Sequence, residues 1–142
     1  ETSVGLDRMF LSILSASYKE ETLEDGTTRV VLSLPPFLAP YKVAILPLMR
    51  KDGLPEKARE IMDQLKFSFN CHYEEKDAIG KRYRRHDAYG TPFCVTIDPQ
   101  TLEDNMVTIR DRDTMLQERV AVDQLENIIR AKVDIRNALK KL

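Results

Sequence analysis

The sequence predicts an α/β fold: a mixed five-stranded sheet flanked by three helices, with a further helix ahead of it. Three observations carry this. After Lys42, residues 43–48 are continuously apolar, as in a strand covered on both faces, and such strands belong to sheets with parallel pairs. Helix-periodic segments then alternate with strand-like runs, the pattern of crossover units. Finally, the run Gly90-Thr91-Pro92 switches the period from 3.6 to 2, because glycine suits the left-handed residue that ends a helix and proline cannot continue one.

The 142 residues suit about one compact domain, and 42% hydrophobic with 32% charged residues marks a globular chain. No apolar run approaches the roughly 20 residues that span a bilayer. Glu1-Thr2-Ser3 lacks the basic region that opens a secretory signal, so a cytoplasmic location is expected. The chain opens without Met on a segment that reads like the inside of something, and a piece of a longer protein is expected. Cys71 and Cys94 sit in strand-like apolar segments and read as reduced core thiols. No metal site is expected: Cys71-His72 is no ligand set, since neighbours on a strand point to opposite faces.

Along the chain, Leu6, Met9, Phe10, Ile13 and Leu14 recur at helical spacing, widened by Leu11 and Ala16. Arg8 falls in the first turn, where a cation opposes the helix dipole, and its local reading is a solvated side chain. Residues 19–28 read as a polar connector turned at Asp25-Gly26. Residues 29–34 are β-prone, and the prolines of residues 35–40 make a stiff tether, where the boundary between residues 1–34 and 35–142 is placed. Beyond it Pro55 suits the first position of a helix buried through Ala58, Ile61, Met62 and Leu65. Residues 67–73 alternate like a strand with one wetter face. Residues 79–89 form a basic helix with Ile79, Tyr83 and His86 on one face and Lys81, Arg84 and Arg85 on another; His86 reads as a packed or capping histidine. Residues 98–100 begin a hairpin-like connection. On the next strand Thr108, Arg110 and Arg112 point away from Val107 and Ile109. Asp123-x-x-Glu126 has the form of a capping box, and Asp134 restarts a short helix. The order after the tether is β-α-β-α-β-β-α.

No P-loop, dinucleotide fingerprint, metal-spaced His/Glu helix or serine elbow is present, and no carboxylate pair is marked for acid/base work. Positive charge nevertheless clusters around residues 81–85 and 110–112 in a chain of net charge −1, which points to a local anionic partner. The competing reading is a basic surface balanced by Glu74, Glu75, Asp111 and Asp113.

Together, Leu34-Pro35-Pro36-x-Leu38-Ala39-Pro40-x-Lys42-Val43, Gly80-Lys81-Arg82-Tyr83-Arg84-Arg85, Gly90-Thr91-Pro92-Phe93 and Thr108-Ile109-Arg110-Asp111-Arg112-Asp113 closely resemble the C-terminal anticodon-binding domain of class II aminoacyl-tRNA synthetases, of the glycyl type. Glu1-x-Ser3-x-Gly5-x-x-Arg8 then resembles class II motif 3, at the end of the catalytic domain. The resemblance implies ATP, with Mg2+, as substrate, held by Gly5, Leu6, Asp7 and Arg8, with Arg8 as the catalytic residue. It implies that glycine binds along Glu1, Thr2, Ser3, Val4 and Gly5. It also implies tRNA(Gly) as partner and a homodimer for the whole enzyme. In its light Arg8 changes from solvated side chain to ATP contact. Lys81, Arg84 and Arg85 are expected on RNA phosphates, and Arg110 and Arg112 on anticodon bases. Motifs 1 and 2 have no counterpart here, so these residues alone are expected to be inactive. The alternatives are a non-catalytic nucleic-acid-binding module, of the polymerase accessory-subunit type, or a synthetase for threonine, proline or histidine.

Overall fold

The computed structural model describes residues 2–140. Helix α1 (Leu6–Ser17) leads directly into β1 (Tyr18–Thr22), which pairs antiparallel with β2 (Thr28–Leu32) from Tyr18↔Leu32 to Thr22↔Thr28. The connector expected over residues 19–28 is therefore largely a hairpin. Its polar composition misled because the ribbon leaves most of β1 in solvent, so the strand needs only backbone pairing and a turn. Asp25 supplies the turn, accepting from the Thr27 amide at 2.9 Å and hydroxyl at 2.6 Å. In the tether that follows, the Lys42 ammonium donates to the carbonyls of Phe37 and Ala39, both at 2.8 Å, which explains a lysine at the mouth of an apolar strand.

The main sheet contains β3 (Val43–Pro47), β4 (Cys71–Tyr73), β5 (Phe93–Ile97), β6 (Met106–Asp111) and β7 (Gln117–Ala121), ordered β4-β3-β5-β6-β7. Strand β3 is parallel to β4 and β5; β6 and β7 join antiparallel, giving the mixed five-stranded sheet the sequence predicts. Helices α2 (Leu54–Leu65) and α5 (Leu125–Val133) cover one face. There Leu54, Ile61, Leu125 and Ile129 meet Val43, Ile45, Val95 and Val107. Helix α3 (Ile79–Tyr89) covers the other, placing Ile79 and Tyr83 on Ala44, Leu46 and Cys94. Alternate residues of β3 thus feed different cores, which is why no polar residue interrupts it. Short α4 (Thr101–Asp104) follows Asp98, whose carboxylate accepts from the Thr101 amide, and α6 (Ile135–Leu139) is capped by Asp134.

Three boundary expectations are corrected. Residues 67–70 are not strand: the Ser68 and Phe69 amides both donate to Leu65 O, so the chain is still leaving α2, and Phe67 stands 87% exposed. Strand β7 was not foreseen because Gln117, Glu118 and Arg119 are polar, a composition that suits a sheet edge. Asp123-x-x-Glu126 is no capping box. Asp123 lies within a single 3-10 turn (Val122–Gln124), and Glu126 accepts instead from Ser68 Oγ at 2.7 Å and from Arg130.

The two sheets are joined by buried charge. Asp87, fully buried on α3, takes Arg110 of β6 through two bonds of 2.8 and 3.0 Å, and Arg29 of β2 through one of 3.1 Å. The Arg110 guanidinium also lies over the Tyr83 ring, 4.9 Å from its centroid. Arg29 continues to Arg112 O and Glu21, while Arg112 donates to Gly90 O and Leu34 O, both at 2.8 Å, and to Asp113. Arg110 and Arg112 are 5% and 1% exposed. The expectation that they stand together on an RNA-facing surface is corrected: the face of β6 opposite Val107 and Ile109 is covered by α3 rather than by solvent.

Asp87→Asn leaves two buried guanidiniums without their shared charge and is expected to cost about 3–5 kcal/mol in denaturant unfolding; a loss under about 1 kcal/mol, the range of surface pairs, would mean the network is solvated. Gly90→Ala should cost more than about 1 kcal/mol. At φ 77° an added Cβ would lie 3.0 Å from both Leu32 O and Leu34 Cδ1, and an unchanged melting temperature would contradict that packing.

Candidate nucleic-acid interface

Helix α3 divides its basic residues by depth. Arg82, 1% exposed, donates to Pro47 O at 2.7 Å, Glu74 O at 3.1 Å and Leu48 O at 3.2 Å, and so satisfies carbonyls where β3 and β4 end. Its neighbours face outward. Lys81 is exposed and Arg84 half-buried, and neither pairs with a carboxylate among the described residues. Arg85 is held by Glu74 and by Asp77, the latter at 2.8 Å. Lys81, Arg85 and Tyr89 follow one another at four-residue spacing, so they form one ridge along the helix.

That ridge runs to an open groove of about 400 Å3 lined by Pro40, Tyr41, His72 and Tyr89. The rings are close-set: Tyr41 to His72 is 4.9 Å between centroids, His72 to His86 5.1 Å, and His86 to Tyr89 5.8 Å. His86 is fully buried with Nδ1 3.2 Å from Thr91 Oγ1, the packed histidine that the helical pattern predicts. Burial, reinforced by neighbouring His72 and Arg85, pushes its pKa down to about 4, and burial also lowers that of His72. Cations for phosphate beside exposed tyrosine rings are the elements of a single-stranded RNA surface.

The aromatic half of this surface was missed in the sequence. Tyr41 comes from the tether, His72 from β4 and Tyr89 from the last turn of α3, and no spacing connects them. A second groove, about 430 Å3, gathers Lys42, Phe69, Asn70, Arg130 and Arg136. Its arginines are tied to Glu126 and Asp134, and Lys42 to the tether carbonyls, so it offers less free charge. At the other end of the chain, Thr2, Ser3, Val4, Gly5, Leu6, Asp7 and Arg8 are exposed, and Ser3 and Gly5 to Arg8 line a shallow open site; Glu1 lies outside the described residues. Gly5 is extended and α1 begins at Leu6, which puts Arg8 in the first turn as predicted.

Sequence comparison adds that the chain is 50% identical over 133 residues to the glycine--tRNA ligase of Alkaliphilus metalliredigens, covering 94% of this chain and 28% of that protein. The glycine--tRNA ligase of Clostridium beijerinckii is 52% identical over 134 residues, with 94% and 28% covered. The chain therefore spans less than a third of the length of these curated relatives. Among solved structures, the RNA binding domain of threonyl-tRNA synthetase from Cryptosporidium parvum superposes with a TM-score of 0.63 at 24% identity, over 70% of this chain and 25% of that one. Prolyl-tRNA synthetase from the same organism gives 0.68 at 20%, over 84% and 31%; both share the fold. The family profile described as anticodon binding domain matches residues 42–132, from the first residue before β3 into α5, and with it the whole five-stranded sheet and the basic helix. The chain belongs to the anticodon binding domain family.

Proposed function

We propose that this chain is the anticodon-recognising part of a glycine--tRNA ligase, and that the ridge of α3 with the adjoining groove is its RNA surface. The observation that carries the reading is the coincidence of half-identity to glycine--tRNA ligases over 94% of the chain with a cationic ridge on α3 that leads to exposed aromatic rings. Lys81, Arg84 and Arg85 take phosphates, and splayed bases stack on Tyr41 and Tyr89. Arg110 and Arg112 act from beneath, by fixing α3 through Asp87 and Gly90.

The whole protein would activate glycine with ATP to an adenylate and transfer it to the 3′ end of tRNA(Gly), as a homodimer in the cytoplasm. Residues 1–34 close its catalytic domain and residues 35–142 form the anticodon-binding domain. Arg8 supports this with chemistry, since a rigid, permanently charged guanidinium suits the phosphates of ATP, which enters with Mg2+; Gly5, Leu6 and Asp7 form the turn that presents it. A carboxylate at Glu1 suits the glycine ammonium, Ser3 adds an acceptor, and Thr2, Val4 and Gly5 complete the wall. No residue described here is assigned to Mg2+. The threonine and proline enzymes share the fold at 24% and 20% identity, too distant to argue for their substrates.

Filter binding with tRNA(Gly) and a tRNA of unrelated anticodon tests the surface. Lys81→Ala with Arg84→Ala should weaken both tRNAs alike and flatten the salt dependence by about one unit per lost phosphate contact. Tyr41→Ala and Tyr89→Ala should each cost about 1–3 kcal/mol for every stacked base lost. Unchanged affinity in all four changes would sink the surface. In ATP–pyrophosphate exchange with glycine the purified chain should be inert, whereas Arg8→Ala in the whole protein should depress exchange and spare tRNA affinity. Glycine-dependent exchange by the chain alone, or a large loss of tRNA binding in Arg8→Ala, would contradict the assignment of Arg8.

A further inference from the structure

Beneath the groove, three donor atoms converge without partners. His72 Nδ1, His86 Nε2 and Glu74 Oε2 are each buried and lack a hydrogen bond among the described residues. One donor atom from each of the three residues lies within 4.8 Å of the other two, and His86 Nε2 is 3.3 Å from Glu74 Oε2. We propose that His72, His86 and Glu74 form a binding site for one first-row divalent metal ion of the Zn2+ class.

Two imidazoles and a carboxylate are a donor set for such an ion, and a fourth position is left for water. With ligand bonds of about 2.0–2.2 Å, donors around a tetrahedral ion stand about 3.4 Å apart. The Glu74–His86 edge already has that spacing, and His72, half-buried, has a donor atom within 4.8 Å of both. The atoms behind the donors are engaged. Thr91 Oγ1 is 3.2 Å from His86 Nδ1, and a proton held there leaves the Nε2 lone pair free to ligate. Arg85 holds the other oxygen of Glu74 and so orients the carboxylate. A direct His86–Glu74 hydrogen bond would account for only two of the three atoms and leave His72 Nδ1 buried and alone. His72 also lines the open groove above the cluster.

The ion would tie β4 and the residue following it to α3, clamping the helix that carries Lys81, Arg85 and Tyr89. The site stands on its own geometry, whatever the RNA surface proves to be. No sequence spacing announces it, because its ligands span a strand, the loop after it and a helix.

The test uses the purified chain after chelator treatment, titrated with Zn2+ alone by calorimetry and with Co2+ by visible absorption. One ion per chain is expected, with the visible bands of a four-coordinate Co2+ site and a melting temperature several degrees higher in Zn2+ than in chelator. Mg2+ at the same concentration should do neither, since it prefers oxygen ligands. His72→Ala and Glu74→Gln, folded by circular dichroism, should each bind Zn2+ at least about 100-fold more weakly, beyond the loss typical of outer-sphere changes. Absence of saturable Zn2+ binding by the unaltered chain, or affinity retained in either variant, would overturn the three-ligand site. Should His72→Ala fail to fold, the stoichiometry of the unaltered chain and Glu74→Gln decide the matter.

Discussion

One carboxylate between two guanidiniums organises the molecule. Asp87 has no solvent contact, and a lone buried carboxylate would be strongly disfavoured, so its two partners are obligatory rather than decorative. Those partners come from opposite ends of the chain: Arg29 from the hairpin and Arg110 from β6, the latter held in two-point geometry. Arg112 extends the arrangement to the tether and to the carbonyl of Gly90. The hairpin, the basic helix and the middle of the sheet therefore share one set of buried bonds, and removing any member leaves another unsatisfied.

Because α3 is held from below in this way, its outer face is free to carry function. Tyr83, His86 and Asp87 are spent inward, and Arg82 satisfies carbonyls at the end of β3, whereas Lys81, Arg84, Arg85 and Tyr89 face outward. A chain of net charge −1 exerts no long-range pull on RNA, so on the proposed reading attraction would depend on this local patch and be readily screened by salt. Rigidity compensates, since cations on a fixed ridge lose less freedom on binding than cations on a loop.

The same helix supplies the side of the histidine cluster that no strand could. His86 projects back toward β4, where His72 on the strand and Glu74 just past its end stand two residues apart, and His72 also lines the aromatic groove. The proposed recognition surface thus draws on the tether, β4 and α3, and the candidate metal site on β4, the residue after it and α3, with His72 common to both.

By itself the sequence determined the fold class and its central elements. The apolar run of β3, the helical stripes of α1, α2 and α3, the proline that opens α2, the glycine stop at Gly90 and the stiff tether are local properties, set by periodicity and backbone chemistry within a few residues. Local patterns also placed Lys81, Arg84 and Arg85 on the outside of a helix. Only the tertiary structure decided the fate of Arg110 and Arg112. Alternation along β6 shows that they leave the face of Val107 and Ile109, but whether that second face meets water or α3 depends on Asp87, 23 residues distant from Arg110. The polar edge strands β1 and β7 were hidden for a related reason, since edge pairing is made by backbone and leaves no apolar signature. The groove of Tyr41, His72 and Tyr89 and the cluster beneath it gather residues from separate elements, and nothing in a linear chain encodes that proximity until the sheet has formed.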